Sequence, residues 1–383
     1  MSIFTQAFFM GKLTQVLFIF LFLAFALKAQ QIAVFEDDRR HLFVFENLSI
    51  KKIEYIPVSR YYVGKEYVAY INNLNEFKIY YKGKKYLIMS TPPDTIVAQD
   101  YLLGYVQANQ LGVFNGRESR TIQTWIEPNF YLGDSLFTFI DNFQAFRVYE
   151  NEENKKIETW ATGQFWAHDN IAAYVGNQGD LKVYYRGETR VLESYKSDYV
   201  KIAKDIIAYN DYKDFFKIFS AGEQYDMENY KVYQYEVGNG FAVYYNNINE
   251  WIGFYGGERI PLLPTKPKFF NIKRNMMVFA DQGNKFFVFY KGVKTQLESY
   301  IPTDYKMDDD ILVYKDLYGK LKGFKNGVKM DISSQIALEF ELQNHCIIYY
   351  DRTKALKKVW YEGIEYFYNE EDVERSEKKE QRY

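Results

Sequence analysis

Short apolar runs recur along the chain, each centred on an aromatic residue and most closed by a small polar one. The run Ile206-Ile207-Ala208-Tyr209-Asn210-Asp211 is typical. Its counterparts are centred on Phe35, Tyr70, Tyr105, Phe139, Tyr174, Tyr244, Phe279, Tyr314 and Tyr349. Successive centres are 35 residues apart, except for a step of 34 between Tyr105 and Phe139. A fixed period of roughly 20–50 residues marks a repeat architecture.

Each copy has the same internal parts. Two residues after the centre stands Asp or Asn, as at Asp37, Asn72, Asp141, Asp211, Asn246, Asp281, Asp316 and Asp351, with Gln107 and Gly176 as exceptions. Such side chains start turns by bonding the backbone two residues on. A second apolar run follows, as in Leu181-Lys182-Val183-Tyr184-Tyr185, and ends at a Gly such as Gly187, Gly222, Gly257, Gly292 or Gly327. Gly supplies the positive φ of a tight turn. A third run, Val191-Leu192-Glu193-Ser194-Tyr195 in this copy, leads to a fourth that ends near Ile202. No stretch sustains a 3.6-residue period, so no helix is expected in the repeats.

One unit is therefore four strands of about five residues joined by short turns, which makes neighbours antiparallel. A lone four-stranded meander cannot bury its faces, whereas radial stacking of ten can. The expected fold class is all-β: a repeat protein of ten ~35-residue four-stranded antiparallel units, closed as a single β-propeller. Two five-bladed rings and an open spiral remain as alternatives. Unbroken register from Tyr174 to Tyr209, and from Tyr244 to Phe279 across the proline-rich Pro261–Pro267 stretch, favours one ring. The first unit lacks its first strand, because 35 residues before Val63 lies Lys28. Over residues 32–368 the strand order resembles that of WD40-like blades, which implies a propeller architecture. The Trp-Asp dipeptide of those repeats is absent and the unit is shorter, so the resemblance implies no particular activity.

The ends read differently. Lys12, the apolar run Val16–Leu27 and the small residue before Gln30 form the pattern of a secretory signal, and twelve apolar residues are too few for a membrane span of about 20. The domain expectation is a signal peptide over 1–30, the repeat domain over 31–368 and a charged disordered tail over 369–383. Removing residues 1–30 would take two lysines from a chain of formal charge −2, leaving −4. That balance gives no reason to expect nucleic acid. Aromatics make up 19% of the chain, with 37 Tyr and 32 Phe, which suits pleated surfaces. The single Cys346 excludes an internal disulfide framework and reads as a small core residue.

Candidate chemistry is sparse. One position after the third run is aromatic in six copies, Tyr55, Trp125, Trp160, Tyr195, Tyr230 and Tyr300, with Ser90 and Thr265 in two others. Trp125, Trp160, Tyr195, Tyr230 and Tyr300 are candidate stacking platforms for sugars. Their recurrence in most units favours corner packing between neighbouring sheets, with Trp160→Ala expected to destabilise. The acids Glu158, Glu193, Glu228 and Glu298 read as a solvated face. Asp134, Asp169, Asn239, Asp309 and Asn344 read as hairpin-turn residues. Asp308-Asp309-Asp310 lacks calcium-loop spacing, and His41, His168 and His345 form no HExxH zinc motif. No Walker loop, GxGxxG or GxSxG element is present. Neither a cofactor nor a metal is expected. The runs Lys82–Lys85 and Lys354–Lys358 are too short for a nucleic-acid surface.

The residues favour an exported, non-enzymatic binding or scaffold propeller, periplasmic, outer-surface or extracellular, presenting loops to a protein or glycan partner. No nucleic acid and no stable membrane span after signal removal are expected. The alternative is a polysaccharide-active enzyme with a site in the central channel, which would need carboxylates or histidines converging there.

Overall fold

The computed structural model describes residues 31–351 and 357–367, apart from 117, 161 and 198. The expectations for 1–30 and 369–383, and the Lys354 run, lie outside or largely outside them. All regular structure among the described residues is strand. There are nine sheets: one of three strands, seven of four and one of seven. The seven-stranded sheet is two units sharing the long strand Val328–Gln343, whose start pairs with Lys320–Lys325 and whose end pairs with Cys346–Asp351. Counted this way, ten units are present, numbered one to ten in chain order. Unit one has three strands, Ala33–Glu36, Leu42–Glu46 and Ser49–Glu54, and no first strand precedes them among the described residues.

Each expected centre lies on the second strand of its unit and is buried. The turn chemistry holds as well. Asp211 Oδ1 accepts the backbone N–H groups of Lys213 and Phe215 at 2.8 and 2.9 Å. Gly187, Gly222, Gly257, Gly292 and Gly327 all have positive φ in the hairpins between third and fourth strands. The exception at Gln107 has a local cause. In unit three the longer Asp-started turn is replaced by the two-residue hairpin Ala108-Asn109, both at positive φ, which also accounts for the short step of 34.

Ten hydrophobic clusters fill the ten seams. Ala208, Phe216 and Tyr244 pack together between units six and seven, and Ile171, Val200 and Tyr209 between five and six. The cluster of Ala33, Phe43 and Phe45 with Cys346, Ile348 and Val359 joins unit ten to unit one. The ring is therefore single and closed, and Cys346 is core as expected; burial pushes its thiol up to about 12.

The closing seam uses side chains where unit one shows no first strand among the described residues. The Gln343 amide accepts from Val34 N at 2.9 Å and donates to Val34 O at 3.1 Å. Asn344 donates to Ile32 O and Lys357 to Glu36 O. The inner edge of Ala33–Glu36, which its own first strand would otherwise cover, is capped in this way.

Candidate functional site

The meander fixes two unlike faces. Turns between first and second strands, and between third and fourth, lie on one face. Turns between second and third strands, and the links to the next unit, lie on the other.

On the first face, nine equivalent turn residues meet at the axis: Lys65, Asp100, Asp134, Asp169, Lys204, Asn239, Arg274, Asp309 and Asn344, spaced 35 or 34 apart. Neighbouring turns are bonded to each other. Lys65 N donates to Asp100 O at 2.7 Å, Asn239 N to Arg274 O at 2.7 Å and Gly240 N to Lys204 O at 2.9 Å. Asn344 Nδ2 donates to Gly64 O at 2.8 Å, bridging unit ten to unit two across unit one, which has no such turn among the described residues. Contacts of this kind set adjacent turns about 5 Å apart, so the annulus is about 15 Å across. Side chains span it. Arg274 donates to both carboxylate oxygens of Asp100, 2.6 and 2.7 Å away, from five units further round, and to Asp309 at 2.9 Å. Lys65 Nζ lies 2.8 Å from Asp100 and 2.7 Å from Asp309.

The electrostatics follow from that geometry. Burial pushes the Asp309 carboxyl up, but Arg274 and Lys65 outweigh it and hold the group below its usual range. Burial lowers Lys65, yet Asp100 and Asp309 raise it well above the ordinary lysine value. Asp134 has no such partner, and burial with Asp100 nearby pushes it up. Asp308 is likewise raised by burial. His345 Nε2 stands 2.7 Å from Asp310, and His41 pairs with Asp37 at 2.7 Å. The turn residues are thus more than hairpin chemistry; together they seal one end of the channel.

From the other face the channel narrows toward this seal. Arg60, Thr95 and Asn129 on the first strands, and Gln164 and Gln234 just before theirs, are exposed, while Tyr62, Val97, Tyr131, Trp166 and Glu236, two residues on, are half-buried. The alternate residues of these strands join the seam cores, as Tyr61 and Val63 do. Carboxylates do converge in the channel, as the enzyme alternative requires. All four oxygens of Asp100 and Asp309 are nevertheless taken by Arg274 and Lys65. General acid–base work needs a group free to exchange a proton with substrate, and of these turn carboxyls Asp134 stands outside the salt bridges of Arg274 and Lys65. Asp100, Lys65 and Arg274 were not singled out from the sequence, although their 35-residue alignment with Asp309 was there to be read.

The second face carries the aromatic series, and the packing expectation fails for its exposed members but holds for Tyr230, which packs against the core between units six and seven. Trp160 is 64% exposed, Tyr195 61%, Tyr55 51% and Trp125 46%; Tyr230 and Tyr300 are half-buried. Trp125, Trp160, Tyr195, Tyr230 and Tyr300 stand two residues beyond the fourth strand of their unit, and Tyr55 one beyond, where the chain leaves the sheet for the next one. Tyr195 touches Tyr212 of the next turn, 5.2 Å between ring centres, and the Tyr230 hydroxyl accepts from Asn247 N at 3.1 Å. The turns between second and third strands add Phe143, Tyr212, Ile248, Leu317 and Tyr318, all exposed. Together they form an apolar rim around this face.

The acids beside the aromatics do not form a solvated face. Glu193 is 8% exposed and its Oε1 receives the Tyr209 hydroxyl at 3.1 Å and Lys217 Nζ at 2.9 Å, both in the next unit. Glu228 and Glu298 receive Tyr244 and Tyr314 in the same manner, and Glu158 receives Lys182. A register shift in the fourth strands that carry these four acids, as at Leu181/Lys182 opposite Glu193, turns the acid inward.

Among the described residues no helix is long and apolar enough to cross a membrane, and no group of three or more His, Cys, Asp or Glu could hold a metal ion. No curated protein matches the chain significantly. Solved structures that resemble it include the computationally designed Ika8 protein, at 13% identity over 79% of this chain and 96% of that one, with a TM-score of 0.29. The CRINKLY WD40 ectodomain of the Arabidopsis thaliana receptor kinase ACR4 resembles it at 10% identity, over 62% and 99%, with a TM-score of 0.32. PorZ of Porphyromonas gingivalis does so at 9%, over 90% and 59%, with a TM-score of 0.29. At these values the likenesses say nothing about function. A family model described as a 10-bladed beta propeller domain matches residues 26–366, from before unit one into the last strand of unit ten. The chain belongs to the 10-bladed beta propeller domain family.

Proposed function

We propose that this is an exported, non-enzymatic binding or scaffold propeller whose aromatic rim takes a glycan. The carrying observation is the exposure of Trp125, Trp160 and Tyr195 at equivalent positions of successive units. Large aromatic faces left in water at regular intervals cost stability and suit stacking on sugar rings, with polar turn residues beside them for hydroxyl groups. A protein partner is the second reading, favoured by the aliphatic Ile248 and Leu317 on the same rim, which do not stack on sugars. Export is part of the proposal and rests on Lys12 and Val16–Leu27; N-terminal sequencing of envelope material should begin near Gln30.

The test is the triple variant Trp125→Ala/Trp160→Ala/Tyr195→Ala on immobilised polysaccharides and a glycan array. Lost binding with a thermal midpoint within a few degrees of wild type is expected. Retained binding would move the site off the rim.

A further inference from the structure

Unit four departs from the repeat at one place on the rim. In units two, five, six and nine a lysine on the third strand, Lys78, Lys182, Lys217 or Lys322, is met by a glutamate 24 residues earlier in the preceding unit. In unit four the cation is Arg147, and the position 24 residues earlier is Gln123. The residue paired across from Lys217 on the fourth strand is Asp226, and across from Lys182 it is Val191. Across from Arg147 it is a second cation, Lys156. Arg147 keeps one acid, Asp141, at 2.5 Å. Unit four therefore holds two cations against one carboxylate, where unit six holds Lys217 against Glu193, Asp211 and Asp226.

This surplus charge sits in a cleft of about 500 Å³ lined by Asp141, Phe143, Arg147, Lys156, Thr159 and Trp160, with Asp141 paired to Arg147. Phe143 is 73% exposed and Trp160 64%. The volume falls in the range of small-molecule sites. Like charges set opposite each other on neighbouring strands are unfavourable unless an anion joins them. A guanidinium beside an ammonium suits a planar carboxylate, and the aromatic walls suit the flat face of a pyranose.

We infer that the Phe143–Trp160 cleft of unit four binds a carboxylate-bearing sugar residue of an acidic glycan. The ring stacks on the aromatic walls and the carboxylate is held by Arg147 and Lys156. This rests on the reading of the rim as a glycan-binding face and adds charge selectivity at one unit.

The experiment titrates the purified protein with a galacturonic acid trisaccharide, its methyl ester and a short polyglutamate peptide, followed by calorimetry. The acid should bind at least tenfold more tightly than the ester, and the preference should shrink with added salt. Lys156→Gln should remove most of the preference. Gln123→Glu, which restores the acid of the other units, should do the same without harming the fold. Trp160→Ala should abolish binding of the acid, whereas Val293→Ala, an exposed residue beside a third-to-fourth-strand turn on the opposite face, should leave it unchanged. Equal binding of acid and ester, lost in Trp160→Ala, would overturn the inference and leave the glycan-binding rim standing. Polyglutamate binding as tightly as the trisaccharide would overturn it in favour of an acidic protein segment. No binding of the trisaccharide would also overturn it, while the polysaccharide screen with the triple variant judges the rim independently.

Discussion

The seal across the channel makes a quantitative demand on Asp100. In Asp100→Ala, Arg274 loses two charge-assisted bonds and Lys65 one. Each such bond contributes about 1.5–3 kcal/mol when dry. The Arg274 and Lys65 side chains are 31% and 27% exposed, so water replaces part of the loss. Asp309 also remains bonded to both cations. The expected cost is about 2–4 kcal/mol, less than the figure for a fully buried pair. At roughly 2.1 cal/mol/K per residue over about 330 folded residues, the unfolding entropy is about 0.7 kcal/mol/K, which gives a midpoint drop of about 3–6 °C. Calorimetry on Asp100→Ala, Arg274→Met and the double variant separates the pair from its surroundings. Because removing either partner strands the other, the double variant should cost about 1.5–3 kcal/mol less than the two singles combined. Strict additivity would mean that units three and eight do not meet in solution, and the sealed channel would be wrong.

Glu193→Ala strands the Tyr209 hydroxyl and removes one of the three acids around Lys217, so urea unfolding should show a loss of about 2–3 kcal/mol, where a solvated acid would cost under about 0.5. Ala221 holds φ 54° at the first turn position before Gly222, a conformation that costs a non-glycine residue about 1 kcal/mol; Ala221→Gly should raise the midpoint slightly, and a fall would contradict the turn assignment. Burial and Asp100 raise the Asp134 carboxyl in the folded state, so its contribution is greatest at low pH and is lost as pH rises from the unfolded value through the raised folded one. Asp134→Asn, which keeps the acceptor for Tyr101 N, should therefore stabilise at pH 7 and confer no gain below about pH 4 in thermal melts, and an equal gain at both would refute this linkage.

The period made the strands, the seam cores and the Asp-started turns legible, because burial and turn geometry act within or between adjacent units. Tyr209 repeats because every seam needs it. What the period could not supply is the direction a repeated position faces once the ring closes. Asp309 reads as an ordinary turn residue until closure brings Arg274 and Lys65 to it. Glu193 reads as exposed until the bulge in its strand turns it inward. Trp160 was expected in a corner because recurrence resembles structural need, yet the chain leaves the sheet there and no neighbour covers the ring. The Gln123 and Lys156 departures carry meaning only once register sets Lys156 across from Arg147 and the repeat puts Gln123 where other units hold the lysine-binding glutamate.

The junction of units one and ten also governs how the ring can come apart. Nothing interlocks there among the described residues: an apolar patch abuts another, and Gln343, Asn344 and Lys357 reach across to a backbone edge. Every other junction is crossed by the chain itself. Under load or thermal fluctuation the circle is therefore a split washer, with one predetermined gap at which it can spring into a shallow helix while all ten units stay stacked through the other nine junctions. The number of units is then fixed by the wedge angle between neighbouring sheets and the fit of two end faces. A whole unit added or removed would be accepted or rejected by curvature alone.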